Sequence, residues 1–383
     1  MASDARVLIV GAGVGGLALA QALRRGGMDV TVYEQDPTAT IRNQGYRIHI
    51  DSNGNAALRN CLSDEALGSA RRSSGRNGDL FAAYTHHLRQ VTAQTFPDVA
   101  EDDITCVDRN AFRHALLTGV ADAVHFGKRT AGYQLTDAGR VRVEFAAGGS
   151  DEGDVLVGAD GVGSAIRRQL LPDATVRDLG LRCLYGRMTI TETTEPLIPP
   201  DFHRGFSWVG DDNGCGAGFA PVRFRARPDG AADYLMTTLV ATPERLGVTD
   251  AELFSFSAER LWKLAVDTTA SWHPAIRELY AHADSGTFFP ITIRAAERLD
   301  TIPSGPVTLL GDAAHAMPPT GGAGANTALR DAATLAGELL EAARDGKPLS
   351  EAVAAYERVM LPRGFDAVDS SLRMAGQLFG HAG

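Results

Sequence analysis

The sequence predicts an α/β fold in which a parallel-stranded domain is interrupted by a β-rich insertion and closed by helices. Three observations predict it. Short apolar runs each lead into a glycine turn, the texture changes after residue ~180 to strands rich in aromatic and β-branched residues, and the C-terminal tract reads as helix. The 383 residues give length for two or three domains of ~150 residues. The expected division is a discontinuous first domain over 1–72, 100–178 and 296–330, a β-rich domain over 73–99 and 179–295, and a helical segment over 331–383.

Each element follows from its residues. Val7 to Val10 is the continuous apolar run that a parallel strand buried on both faces needs. Gly11 to Gly16 is a turn, Leu17 to Arg25 is a helix ending at Gly26-Gly27, and Asp29 to Glu34 is a second strand, so a βαβ unit opens the chain. Asp108 caps a helix running to Leu117, and strands follow between Tyr133 and Phe145. Asp154 to Val157 is a short buried strand before a glycine turn and a helix from Ala165 to Leu171. Strands are expected over Cys183–Ile190, Phe206–Val209, Tyr234–Val240 and Phe288–Ile293. Val307 to Leu310 returns to a buried strand, and the remaining helices are expected to break at Pro362.

Composition narrows the function classes. Net charge is −10, with 37 basic against 47 acidic residues, which disfavours a polyanionic partner such as nucleic acid. Cys61, Cys106, Cys183 and Cys215 lie far apart with no Cys-x-x-Cys pair, against a disulfide scaffold or zinc site and in favour of a reducing compartment. No apolar run approaches ~20 residues, and a strand starting at Arg6 leaves no room for a signal peptide, so a soluble cytoplasmic protein without a membrane partner is expected.

Three glycine motifs carry the chemistry. Gly11-x-Gly13-x-x-Gly16 sits between a strand and a helix: Gly11 permits the turn, Gly13 lets backbone approach a pyrophosphate, and Gly16 allows close helix packing. Glu34, 18 residues beyond Gly16, would accept from a ribose 2′-OH and repel a 2′-phosphate, which points to FAD or NAD rather than NADP. The second motif, Gly158-Ala-Asp160-Gly161-Val-Gly-Ser164, reads equally as a functional turn or as a helix cap built on Asp160. In the third, Gly311-Asp312 follows a strand where the carboxylate can accept from a polyol. Gly322-Ala-Gly324-Ala-Asn326 then opens a helix with free N–H groups. His315, between them, reads as structural.

Together, in this order and over nearly the whole chain, the motifs resemble the single-component flavin monooxygenases of the aromatic hydroxylase type, a Rossmann-type FAD-binding fold with a β-rich substrate domain. They are similar in particular to tetracycline-modifying monooxygenases and polyketide hydroxylases, through His315-Ala-Met-Pro-Pro-Thr-Gly-Gly-Ala-Gly-Ala-Asn326. The resemblance implies that Gly11, Gly13, Gly16 and Glu34 hold the ADP part of FAD and that Asp160 and Gly161 serve both FAD and passing NADPH. It implies that Gly311-Asp312 binds the ribityl chain and that Pro319 and Gly322 to Asn326 border the isoalloxazine. Arg109 matches a FAD-contacting arginine, and Arg42 and Arg47 match a region touching flavin or NADPH. The family usually carries Gln at Ala323, which leaves a backbone cradle there without that side chain.

The implied activity is a monooxygenase using FAD, with NADPH or NADH as transient co-substrate, which passes one oxygen of O2 through a C4a-hydroperoxyflavin to an aromatic or polycyclic small molecule. Phe206, Trp208, Phe219, Phe224 and Met236 of the insertion are candidates to line an aromatic slot, while Arg187 and Arg223 read as surface cations. A plain NAD dehydrogenase leaves the second and third motifs unexplained, and the spacing of Trp208, Trp262 and Trp272 does not suit a flavin halogenase. A reductase or oxidase of the same fold and a non-catalytic binding module remain as alternatives.

Overall fold

The computed structural model describes residues 5–40, 46–96 and 99–379. The chain opens with β1 (Arg6–Val10), α1 (Val14–Arg25) and β2 (Asp29–Tyr33), then β3 (Arg47–His49), α2 (Ser52–Cys61) and α3 (Asp64–Arg72). A hairpin of β4 (Leu80–Thr85) and β5 (Gln90–Thr95) leads to β6 (Cys106–Asp108), α4 (Arg109–Leu117) and β7 (Val124–His125). There follow β8 (Thr130–Leu135), β9 (Val141–Phe145), β10 (Ser150–Gly153), β11 (Val155–Gly158) and α5 (Ala165–Leu170). The middle of the chain holds β12 (Val176–Thr189), β13 (Gly205–Gly210), β14 (Gly216–Val222) and β15 (Tyr234–Ala241). Helices α6 (Pro243–Leu246), α7 (Asp250–Leu253), α8 (Ala258–Thr268) and α9 (Pro274–Ala281) come next. They are followed by β16 (Phe289–Ala296), β17 (Val307–Leu309), α10 (Asp312–His315), α11 (Gly324–Asp345) and α12 (Leu349–Phe379).

Two sheets organise these elements. The first has the order β17-β11-β1-β2-β7, and every neighbour pair in it is parallel. Val7, Leu8 and Ile9 of β1 and Val155, Leu156 and Val157 of β11 have no solvent exposure, as strands covered on both faces require. The second has the order β16-β12-β15-β14-β13-β4-β5 and is antiparallel except where β13 runs parallel to β4. Alternation along its strands sends Leu184, Met188, Phe219, Leu235 and Leu239 to one face, where they pack with Leu261, Ile276, Leu279 and Tyr280 of α8 and α9. Cys183, Tyr185, Trp208, Ala220 and Met236 occupy the other face, toward Tyr46 and Ala111 of the first region.

The structure corrects three sequence expectations. Residues 243–281 hold four helices inside the region read as strands, because the sheet needs an apolar cover on its outer face. β14 was not expected, since Gly216, Gly218 and Pro221 weaken strand propensity, yet it pairs on both sides within the sheet. The break at Pro362 does not occur: α12 runs through it from Leu349 to Phe379. Pro362 lacks an N–H and crowds the carbonyl of Arg358, at a cost of about 3 kcal/mol. Met360, Leu361, Phe365 and Val368 bury both halves of the helix against the core and outweigh that local loss. No helix among the described residues is long and apolar enough to cross a membrane.

Candidate active site

The first glycine turn is held by backbone contacts. Gly11 has φ +110°, and a Cβ there would lie 2.2 Å from the carbonyl oxygen of Ala159 in the second motif. A Cβ on Gly16 would lie 2.1 Å from the Gly11 carbonyl oxygen. Gly13 differs: a Cβ there would meet nothing within 4 Å, so its backbone faces open space at the start of α1, a helix with no side-chain cap. Glu34 is buried at the end of β2. Its Oε2 accepts the Ala12 N–H at 2.8 Å and pairs with Arg113 at 3.1 Å, while Oε1 accepts the Asp36 N–H at 2.9 Å. Three donors leave the carboxylate one acceptor position for a hydroxyl. Arg113 escaped the sequence reading because nothing near it in the chain signals its reach from α4 to β2.

The second motif satisfies both readings of Asp160. Its Oδ2 accepts from Ala165 N–H at 2.7 Å and caps α5, while Oδ1 is buried without a partner. Gly161 has φ +75° and open space where its Cβ would be. Arg167 joins this motif to the third, donating to the carbonyls of Val162 at 2.7 Å and Ala313 at 3.0 Å.

The third motif begins with Gly311 at φ +63°, its N–H bound to Asp331 Oδ2 at 3.1 Å. The Asp312 side chain is reached by solvent, but protein surrounds it closely enough that lost hydration raises its carboxyl pKa, with His315 and Arg109 pulling the other way. A Cβ on Gly324 would lie 3.8 Å from Asp312 Oδ1, and one on Gly15 would strike Leu310 at 2.3 Å, so the first and third motifs share one crevice. Gly322 has φ +62° and faces His49, and α11 begins at Gly324 with no side-chain cap. Pro319 is exposed in the preceding turn. The Asn326 side chain is engaged internally, donating to His49 and Gly322 carbonyls and accepting from Asp51 N–H, so it offers the crevice only its main chain.

His315 lies beneath this turn and is fully buried. Its Nε2 is 2.6 Å from Asp331 Oδ2, and Arg363 holds Asp331 Oδ1 at 2.9 Å. Burial works against a charged imidazole, but the Asp331 carboxylate outweighs it and raises the pKa. A Cβ on Gly364 would sit 2.4 Å from the His315 ring, which packs α12 on it. The structural reading of His315 fits this sealed position. Asp331 and Arg363, which hold the turn, were missed by the sequence reading because each lies in an ordinary helix with no motif around it.

Of the remaining predicted positions, Arg42 lies outside the described residues. Arg47 stands on β3 opposite Asp108 of β6, with a buried, unpartnered Nε. Arg109 opens α4; its guanidinium lies 5.2 Å over the Tyr46 ring and makes no ion pair among the described residues. Tyr46 in turn packs on Tyr185 at 4.9 Å and on Phe289 at 6.2 Å. Trp208 and Met236 lie on the sheet face that packs toward Tyr46 and Ala111, with Phe206 and Phe289 packed against that same apolar face. Phe224, just beyond β14, packs edge-on to Tyr234 at 6.5 Å. Phe219 does not join them. Strand alternation turns it to the opposite face of the sheet, where it packs on Phe202 at 5.3 Å and Tyr280 at 5.7 Å, away from any slot.

These residues fit FAD on structural grounds: an unfilled backbone approach at Gly13, an orphaned buried Asp160 oxygen, uncapped helix starts at α1 and α11, and an accessible Asp312 between them. Comparison with known proteins agrees. The family described as the FAD binding domain matches residues 4–178 and 266–371, leaving out most of β12 and all of β13 to β15. The dual O-methyltransferase/FAD-dependent monooxygenase CTB3 of Cercospora beticola is 35% identical over 98% of this chain and 47% of its own length. The chain thus spans about half the length of the curated relatives it matches first. A Photorhabdus luminescens protein named as an FAD-containing monooxygenase superposes with a TM-score of 0.85 at 31% identity, covering 98% of this chain and 99% of that one. The tetracycline destructase Tet(51) has a TM-score of 0.68 at 18% identity, covering 100% of this chain and 94% of its own, a likeness of fold.

Proposed function

The chain belongs to the FAD-binding-domain family, and on that premise we propose that it is an NAD(P)H-dependent flavoprotein monooxygenase that places one oxygen atom from O2 on an aromatic small molecule. The observation that carries this reading is the meeting of three distant glycine turns in one crevice, with Gly11 against Ala159 and Gly15 against Leu310. Bound FAD would supply the redox chemistry, accepting a hydride from NAD(P)H and delivering oxygen to the ring.

The chain's own residues do the rest. Gly13 and the start of α1 receive the pyrophosphate, and Glu34, fixed by Arg113, accepts from the ribose. Asp160 Oδ1, buried and unpartnered, and the open side of Gly161 would serve the same nucleotide. Asp312 accepts from the ribityl hydroxyls, and Gly311 keeps its turn through Asp331. Main-chain N–H groups from Gly322 to Asn326, at the uncapped start of α11, would hold the flavin ring system and favour negative charge on it, and Pro319 in the preceding turn would border it. Arg47 and Arg109, which make no ion pair among the described residues, would attract anionic cofactor groups, as would Arg42. The face of Trp208, Met236, Phe206 and Phe224 keeps water from the reacting ring. NAD(P)H docks transiently, since the described residues hold a single turn of the Gly11 type. Four free, buried cysteines suit work in the cytoplasm.

The purified chain should be yellow with visible flavin bands, and 2-naphthol should accelerate NADPH oxidation and yield a product heavier by one oxygen atom. A colourless chain that refuses added FAD under native conditions overturns the reading.

A further inference from the structure

The face of the second sheet that packs toward the first region is not chemically uniform. One row of the register reads Tyr185, Thr238, Gly218, Trp208 across β12, β15, β14 and β13. The row beside it carries Arg187 on β12, then Met236 and Ala220. At one edge of these rows β12, an inner strand of the sheet, presents a phenol and a guanidinium two residues apart on one face, and at the other edge β13 presents the carbon-rich Trp208. Three strand steps separate these edges, ~14 Å at ~4.8 Å per step, the scale of a two-ring ligand with its flanking side chains. The middle is kept low by glycine. A Cβ on Gly216 would strike the Trp208 ring at 2.0 Å and one on Gly218 would lie 3.0 Å from the Phe206 ring, so both rings lie down over β14.

The polar edge is short of partners. Tyr185 is nearly buried, yet its hydroxyl makes no hydrogen bond among the described residues. Arg187 lies 5.5 Å over the Tyr234 ring with a buried, unpartnered Nε. Its nearest carboxylate is Asp284 at 4.0 Å, whose Oδ2 already accepts from Thr189 at 2.7 Å. Asp108, the other acid nearby, is taken by the Tyr234 hydroxyl and by the cap of α4.

We propose that Tyr185 and Arg187 form the anion-binding edge of the substrate slot, and that the substrate is an aromatic compound carrying an ionisable hydroxyl or carboxyl at that end, with its apolar rings toward Trp208. This rests on the monooxygenase reading and fixes the ligand's polarity and direction within it. Burial raises the Tyr185 phenol well above its ordinary range, so at neutral pH it is protonated and donates to the anion rather than taking its proton. Arg187 supplies the opposing charge, and the surface role expected of it from sequence gives way to a specificity-determining one.

The test is binding, read by quenching of ligand fluorescence on the FAD-loaded chain. The probes are 3-hydroxy-2-naphthoate as the anion and 2-methoxynaphthalene as its neutral counterpart. The wild-type chain should prefer the naphthoate by about tenfold or more. Arg187→Gln should lose most of that preference, Arg187→Lys should keep part of it, and Tyr185→Phe should weaken the naphthoate severalfold. Trp208→Ala should weaken both probes alike. FAD affinity and thermal unfolding of the Arg187 and Tyr185 variants should match the wild type, which separates the effect from a folding defect. The proposal is overturned if the wild type shows no preference, or if Arg187→Gln and Tyr185→Phe both retain it. A chain that takes up no FAD defeats the monooxygenase reading alone, since the same titration on the flavin-free chain still decides the polarity of the slot.

Discussion

The two sheets are specified in different ways. Around the parallel sheet, the positions that matter are backbone approaches: Gly11 against a carbonyl, Gly16 against Gly11, and Gly311 turned by Asp331. Such contacts tolerate only glycine or one particular polar partner. In the seven-stranded sheet, each position is defined by which face alternation gives it, and many apolar residues satisfy either face. Function and fold therefore share the same backbone contacts at Gly11, Gly16 and Gly311, with the open Gly13 the exception, and are separable throughout the second sheet. That difference can be broken or sharpened by substitution.

The largest effect belongs to Gly11→Val. A β-branched side chain at φ +110° with its Cβ 2.2 Å from the Ala159 carbonyl forces the first two motifs apart, and a loss of more than about 4 kcal/mol is expected in denaturant unfolding. Gly13→Ala is the control. Its Cβ meets nothing, so unfolding should shift by no more than about 1 kcal/mol while FAD affinity falls. Equal damage from both variants would contradict the separate roles given to the two glycines.

The second sheet should separate what the first cannot. Phe219→Ala empties space between Phe202 and Tyr280 on the helix-covered face and should cost about 3–5 kcal/mol of stability. Ligand preference should stay unchanged in the folded fraction. A change in which naphthalene derivative binds best would mean that the two faces communicate more than alternation implies.

This contrast also explains what the sequence made legible. The βαβ opening, the three glycine turns and the capped α4 are local patterns whose spacing is itself the signal, and they appear where the motifs put them. Phe219 could not be assigned a face because one residue of register decides it, and register depends on β13 and β15. β14 was not among the expected strands because its glycines, which make room for the rings of Trp208 and Phe206 on a neighbouring strand, weaken strand propensity. Arg113, Asp331 and Arg363 act across the chain on Glu34 and Gly311, and no local pattern encodes such pairings.

Buried polar pairs beneath the parallel sheet give a pH-dependent test. Glu357 is buried beside Thr308, whose hydroxyl donates to it at 2.7 Å, and burial pushes its carboxyl from 4.5 up to about 7. A carboxyl whose native pKa lies above its unfolded value penalises the folded state once deprotonated. Its contribution is favourable below 4.5 and is lost as pH rises toward 7. Glu357→Gln keeps an acceptor for Thr308 and removes the charge. It should be neutral near pH 4.5 and stabilising above pH 7, by up to roughly 3 kcal/mol at the limit set by the shift. A gain that is the same at both pH values would assign the effect to packing instead.

The smallest expected effect lies on the helix that joins the regions. α12 packs Gly364 on His315 under the third motif and carries Phe379 edge-on to Trp208 at 5.3 Å at the sheet. Pro362 sits two residues before Gly364, on the N-terminal side of both contacts. Pro362→Ala restores an N–H for the Arg358 carbonyl and relieves the ring's crowding, which favours the folded state. It also returns freedom to the unfolded chain, which opposes that gain. The net should be a stabilisation of about 1 kcal/mol, seen as a small rise in melting temperature. If the kink that proline imposes is what brings Phe379 onto Trp208, the same variant should instead loosen that contact, and the indole fluorescence of Trp208 would shift while the melting temperature stays level or falls.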